Sequence, residues 1–247
     1  MKKAIEVSDL HVSYHGKQVL EHVSFQFECG NLIGIIGPNG AGKSTMLKGL
    51  LGLIPKDAGS ITFGNEHVDA VRKKIAYVPQ RSNIDWDFPI VVKDTVLLGT
   101  YPRLGLFRRP KKADKEWALA CLEKVGMEEY ANSQIGELSG GQQQRVFLAR
   151  ALAQEAAYFF LDEPFVGIDV SSEEVIIKIL KDLRDEGKTI FVVHHDLTKV
   201  EKYFDGLVLI NKELIDAGPV KQVFQPEKLQ KAYQSPFTGL GMLGVGV

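Results

Sequence analysis

Cysteine is nearly missing from this sequence: Cys29 and Cys121 are the two in 247 residues, far apart and outside any CxxC spacing. That scarcity leaves no disulfide framework and no cysteine zinc site, and it fits two reduced thiols. An excess of charge is missing too. The chain has 30 Lys and Arg against 31 Asp and Glu, a net charge of −1, so no overall basic field exists to hold a nucleic acid or an anionic membrane. No run approaches the ~18 consecutive apolar residues that cross a bilayer. The stretch from Met1 turns acidic at Glu6 and Asp9 before an apolar signal core forms. The expectation is a cytoplasmic chain that meets a membrane only through a partner. What is present, 45% hydrophobic and 25% charged residues, is enough to bury a substantial core.

From Ile5 to Phe27 short apolar runs alternate with polar residues, and Tyr14-His15-Gly16-Lys17 reads as the turn between two strands of a β-rich edge layer. Leu32 to Ile36 is a continuous apolar run, as expected of a strand covered on both faces. A glycine-rich loop and a helix from Ser44 to Leu53 follow, then strands at Ile61 to Phe63 and Ile75 to Val78. Helical periodicity dominates from Val92 to Ile135, broken by a Pro- and Arg-rich stretch from Pro102 to Pro110. Helices Gly141 to Ala153 and Ser171 to Arg184 then alternate with strands Tyr158 to Leu161 and Thr189 to Val193, the pattern of a parallel α/β sheet. A helix after His195, a strand at Gly206 to Ile210 and a hairpin-like turn at Asn211-Lys212 come next. The expectation is one domain over 1–247, with a helical subdomain at about 92–153 and a loose Gly-rich tail at about 236–247.

Gly37-Pro38-Asn39-Gly40-Ala41-Gly42-Lys43-Ser44-Thr45 matches G-x-x-x-x-G-K-[ST] and sits between a buried strand and a helix, the context a phosphate-binding loop requires. Its glycines let successive N–H groups point at phosphate oxygens, and the helix N-terminus adds positive potential. Lys43 brings a mobile positive charge to those oxygens and Ser44 a hydroxyl ligand for Mg²⁺. Tyr158 to Leu161 is an apolar strand that ends in Asp162-Glu163, and Pro164 frees both carboxylates for its C-terminal edge, where α/β sheets hold ligands. Asp162 suits Mg²⁺ coordination through water, and Glu163 suits a general base that orients the attacking water. In Leu138-Ser139-Gly140-Gly141-Gln142, Ser139 is placed to cap a helix whose first N–H groups Gly140 and Gly141 leave bare toward an anion.

The order of these three motifs, over about Ile5 to Ala232, resembles the ATP-binding cassette family. The resemblance implies an α/β fold with a RecA-like P-loop NTPase core, an antiparallel β edge layer and a helical subdomain. It implies ATP and Mg²⁺ as cofactors, and a homodimer in which Ser139, Gly140, Gly141 and Gln142 bind the γ-phosphate of ATP held by the opposite copy. Residue by residue, Tyr14 matches the aromatic that stacks on adenine, although a strand tyrosine is also an ordinary core residue. Gln80 matches the glutamine that touches Mg²⁺ and water and senses the transport partner. Asp169 matches the loop aspartate that meets the other protomer, and His195, directly before Asp196, the histidine of the γ-phosphate. His194 has no assigned role. A metal site at His194-His195 is disfavoured, because adjacent residues do not converge on one ion and no third ligand is evident.

A narrower likeness lies at Val78 to Pro89 and at Gly105-Leu106-Phe107-Arg108-Arg109-Pro110, similar to the subgroup serving bacterial manganese, zinc and iron importers. Gly99-Thr100-Tyr101 departs from that subgroup's usual Gly-Arg-Tyr. The implied function is ATP hydrolysis driving import of a transition-metal ion, manganese favoured and zinc or iron possible. The implied assembly is peripheral, on the cytoplasmic face of the membrane, with an integral membrane permease and an extracytoplasmic metal-binding protein that handle the ion, and with no nucleic acid. The basic cluster Arg103, Arg108, Arg109, Lys111 and Lys112 faces lipid headgroups or a partner, or is a solvated linker. The alternative is a soluble cassette ATPase acting on nucleic acid or ribosomes, but the chain has neither the long coiled-coil insertion nor the second cassette of such proteins. A degenerate regulatory subunit has no support, since Lys43, Asp162, Glu163 and His195 are all present. Export rather than import stays open.

Overall fold

A computed structural model of the chain describes residues 3–14, 16–104 and 108–233. In chain order the elements are β1 (Lys3–Tyr14), β2 (Lys17–Glu28), β3 (Leu32–Ile36), α1 (Lys43–Leu50), β4 (Ala58–Phe63), β5 (Glu66–His67), α2 (Val68–Val71) and β6 (Ile75–Val78). There follow α3 (Val92–Leu97), α4 (Tyr101–Leu104), α5 (Lys112–Lys124), α6 (Gly140–Ala153), β7 (Tyr158–Leu161), α7 (Val170–Asp185) and β8 (Thr189–Val193). The chain closes with α8 (Val200–Tyr203), β9 (Gly206–Asn211), β10 (Glu213–Pro219), α9 (Val220–Val223) and α10 (Pro226–Tyr233). It divides into two compact units, residues 1–69 with 193–247, and residues 70–192.

In the first unit β1 pairs antiparallel with both β2 and β4, and β4 with β5, which makes the expected edge layer. Burial alternates residue by residue along most of β2, so one face of this layer is covered and the other wet. β3 is buried at every position and pairs in parallel with β9, Ile33 opposite Gly206 through Ile36 opposite Leu209. β9 turns back into β10 at Asn211 and Lys212, the turn read from the sequence, and Lys212 takes the left-handed conformation there. β10 and the helices α9 and α10 were not read from the sequence. The apolar face of α10, with Leu229 and Ala232 buried, is anchored by the Asn211 side-chain amide, which donates to the Ala232 carbonyl at 2.9 Å.

In the second unit β6, β7 and β8 run parallel in that neighbour order. Phe160 and Phe191 stack across β7 and β8 with ring centroids 5.1 Å apart. Ile176, Ile177, Leu180 and Leu183 form the buried stripe of α7, and Gly187, left-handed, ends that helix with its N–H on the Arg184 carbonyl. Helices α3, α5 and α6 pack together in the stretch expected to be helical. Gly99 is required there: a Cβ would stand 2.0 Å from the Arg150 carbonyl oxygen. The tail at 236–247, His15 in the β1–β2 turn and Gly105 to Phe107 lie outside the described residues.

Candidate functional site

The glycine-rich loop leaves β3 at Gly37 and enters α1 at Lys43, as the sequence order requires. A Cβ at Gly37 would lie 2.1 Å from the Ile210 carbonyl oxygen, and one at Gly42 would lie 2.6 Å from the Leu20 side chain at a φ of +92°. Only glycine permits this path at both places. Inside the loop Lys43 is 7% exposed, and its ammonium donates to the carbonyl oxygens of Gly37 at 2.8 Å and Pro38 at 2.9 Å. The Ala41 N–H closes a turn on Pro38, and the Ala41 carbonyl accepts from the Lys212 N–H, so the β9–β10 turn braces the loop. Ser44 and Thr45 sit half-buried in the first turn of α1, while Asn39 and Gly40 are exposed.

His194 and His195 follow β8 and part company. His194 is 2% exposed, with its N–H on the Ile35 carbonyl and its ring 5.4 Å from Phe204 and 6.0 Å from Tyr203. His195 is exposed. The neighbour that the sequence left without a role is therefore a core residue, and the outward histidine is the one matched to the γ-phosphate. Asp196 beside it accepts from the Thr198 N–H and hydroxyl; these bonds outweigh the opposing effect of burial and hold its carboxyl below the usual range. Tyr14, at the end of β1, is 56% exposed, so it is not a core tyrosine.

In the second unit Gln80, just past β6, donates its side-chain amide to Oε2 of Glu163, just past β7, at 2.7 Å. The two carboxylates do not share an environment. Asp162 is 1% exposed and its N–H is bound to the Val78 carbonyl, while Glu163 is half-buried in the left-handed conformation at φ +50°. The turn off the strand is thus made at Glu163 itself, ahead of Pro164, and that turn separates the side chains. Burial first, and then the Asp162 charge, push the Tyr77 hydroxyl up to about 12.

Ser139 caps α6 as expected. Its hydroxyl accepts from the Gln142 N–H at 3.4 Å, and the Gln142 side chain accepts from the Ser139 N–H at 2.9 Å, a reciprocal capping box. Gly140 and Gly141 lie against the start of the next helix: added Cβ atoms would stand 2.9 Å from the Gly167 carbonyl oxygen and 2.2 Å from Ser172 Oγ. Asp169 caps that helix, accepting from the N–H and the hydroxyl of Ser172, which hold its carboxyl below the usual range. The sequence reading missed a further link. Arg81 donates twice to Gln143 Oε1, at 3.1 and 2.9 Å, and lies over the Trp86 ring, which packs edge-on against Phe147 of α6. Gln143, buried although polar and one residue beyond the signature pentapeptide, was the signal available for it. Of the basic cluster, Arg103 pairs with Glu155, and Lys112 with Glu116.

Residues 20–166 match the family model described as ABC transporter. The chain is 57% identical over 234 residues to the manganese transport system ATP-binding protein MntB of Halalkalibacterium halodurans, covering 95% of this chain and 93% of that protein. It is 49% identical over 230 residues to the zinc transport system ATP-binding protein TroB of Treponema pallidum, covering 93% and 86%. Among solved structures, an inward-facing ABC transporter of metal-chelate type superimposes with a TM-score of 0.85 at 28% identity, covering 96% of this chain and 90% of that one.

Proposed function

The chain belongs to the ABC transporter family, and from that premise we propose that it is the ATP-hydrolysing subunit of an importer for a divalent transition-metal ion, manganese in the first place. The observation that carries the cargo is the 57% identity to a manganese-system subunit across nearly the whole of both chains. Among the described residues no helix is long and apolar enough to cross a membrane. In this reading the subunit docks on a membrane permease from the cytoplasmic face, and an extracytoplasmic metal-binding protein completes the assembly.

The loop fits a polyphosphate. Its floor admits no side chain at Gly37, and it buries an ammonium, Lys43, beside a helix start. Bound ATP with Mg²⁺ supplies the γ-phosphoryl group and a hard cation. The backbone N–H groups of Asn39, Gly40 and Gly42 and the Lys43 ammonium would hold phosphate oxygens, with Lys43 exchanging its Gly37 and Pro38 carbonyls for them. Ser44, Asp162 and the Gln80 carbonyl oxygen are the oxygen donors suited to Mg²⁺; because Gln80 uses its NH₂ on Glu163, its oxygen is the end left for a cation. Tyr14 offers its exposed ring to adenine, and His195 a donor to the γ-phosphate. Glu163, held at Oε2 by Gln80, accepts the water's proton at Oε1. Ser139, Gly140, Gly141 and Gln142, with Asp169, serve the nucleotide of a second copy, so that the working unit is a homodimer.

Purified importer in proteoliposomes tests both halves of this reading. With ATP inside and the loaded binding protein outside, Mn²⁺ uptake is expected to exceed that of Zn²⁺ or Fe²⁺. Glu163→Gln is expected to lower ATP turnover by about 10²–10⁴-fold while ATP binding survives. Turnover within tenfold of wild type removes Glu163 as the base, and uptake of Zn²⁺ or Fe²⁺ ahead of Mn²⁺ reassigns the cargo.

A further inference from the structure

Asp9, His11 and His22 bring one carboxylate and two imidazoles together in the β1–β2–β4 layer, each offering a ligand atom within 4.8 Å of the others. Asp9 Oδ1 lies 3.1 Å from His11 Nε2 and 2.9 Å from His22 Nδ1, and the two rings meet edge to face at 4.4 Å. The sheet is bent to make this meeting. Pairing shifts register between Val7 and Leu10 toward β2 and between Ser8 and His11 toward β4, so Asp9 leaves the ladder on both sides. Its N–H is taken instead by Ser24 Oγ at 2.8 Å, and both Asp9 and His22 hold φ near +50°. That conformation is uncommon for either residue, and bulges of this kind re-aim side chains.

The spacing leaves room for an ion after a small adjustment. With metal–ligand bonds of about 2.1 Å and tetrahedral angles, two ligand atoms on one ion are about 3.4 Å apart, a few tenths of an ångström beyond the 3.1 and 2.9 Å that separate Asp9 Oδ1 from the two ring nitrogens; the exposed Asp9 and His22 side chains reach that separation by small rotations. A ligating histidine carries its proton on the other nitrogen and gives it to an acceptor. His11 Nδ1 lies 3.5 Å from the Gln18 side-chain amide, whose oxygen becomes that acceptor on a half-turn. Asp9 is held as the anion that a cation needs, its carboxyl lowered first by the His22 contact and then by His11. His22, 71% exposed, leaves the open side to water.

We propose that Asp9, His11 and His22 form a surface site for one divalent first-row transition-metal ion, bound without nucleotide. Two imidazoles and one carboxylate hold Zn²⁺ more tightly than Mn²⁺ by the general order of divalent affinities. The ion ties β1 to β2, so binding also stabilises the fold by linkage.

Calorimetric titration of tag-free, nucleotide-free Cys29→Ser protein with Zn²⁺, and separately with Mn²⁺, tests the site; the background substitution removes the exposed thiol. His22→Gly and Asp9→Asn suit the left-handed backbone at their positions, so both variants are expected to fold. Each is expected to weaken Zn²⁺ binding by about tenfold or more and to abolish the rise in Tm that Zn²⁺ gives the parent, while His67→Ala does neither. Parent protein that takes up no Zn²⁺, or affinity and Tm response unchanged in both variants, reduces the trio to a hydrogen-bonded cluster and overturns the site. ATP affinity is not part of either readout, so failure here leaves the transport reading untouched.

Discussion

Gln80 and Glu163 stand 83 positions apart and share one 2.7 Å hydrogen bond. The bond commits the amide NH₂ to the carboxylate and leaves the amide oxygen for the proposed Mg²⁺ contact. The same single-residue resolution separates His194, enclosed by Phe204 and Tyr203, from the exposed His195. It also separates the two thiols. Cys121 is fully buried in α5, and burial pushes its pKa up to about 11, whereas Cys29 is exposed at the end of β2. Only the thiolate is a nucleophile. Native protein treated with iodoacetamide at neutral pH is therefore expected to gain one adduct by mass spectrometry, on Cys29, and a second only after denaturation. Alkylation of Cys121 at a comparable rate in the native state would show that α5 opens.

At the scale of elements, the start of α6 is set by what lies beneath it. Ser139 and Gln142 cap the helix, Arg81 and Trp86 hold its flank through Gln143 and Phe147, and Gly141 touches the first turn of α7. A methyl group at position 141 meets both Ser172 Oγ, at 2.2 Å, and Ser172 Cβ, at 2.6 Å. Overpacking of this kind costs about 1–3 kcal/mol. Gly141→Ala is accordingly expected to lower the urea midpoint and to impair ATP hydrolysis, and Ser172→Gly in the same chain to recover part of the stability. Stability unchanged by Gly141→Ala would mean that the two helices separate freely. Because Asp169 caps α7 through Ser172, the signature and the loop aspartate are parts of one contact.

At the scale of the whole molecule, the signature serves a second copy in the proposed homodimer, which makes each site a product of two chains. Mixing Lys43→Ala chains with Ser139→Arg chains is then expected to restore ATPase activity through heterodimers, each with one site built from an intact loop and an intact signature. Activity of the mixture no greater than that of either variant alone would count against shared sites. Arginine at position 139 suits this test because Ser139 is exposed at the helix start, so the added bulk faces outward rather than into the core.

The phosphate loop, the cap of α6 and the strands β3, β7 and β8 were legible because each is written in contiguous residues. A buried strand is a run of apolar side chains, a cap is a hydroxyl at one position, and a loop that holds phosphate needs its glycines in order. The same holds for the edge layer, whose alternation survives in β2. β10, α9 and α10 were not legible. Their short apolar patterns are weak, and β10 is defined mainly by its partner β9. Tertiary structure alone decided which distant side chains meet: Gln80 with Glu163, Arg81 with Gln143, and His22 with Asp9 and His11. Glu163, itself left-handed, meets Gln80; Asp9 and His22 meet through left-handed residues and shifted strand register; and Arg81 meets Gln143 where α6 packs beside the chain just past β6. A one-residue slip in a sheet turns a side chain to the opposite face. Motif order therefore determined the family and the chemistry, while register and backbone turns decided which donor faces which acceptor.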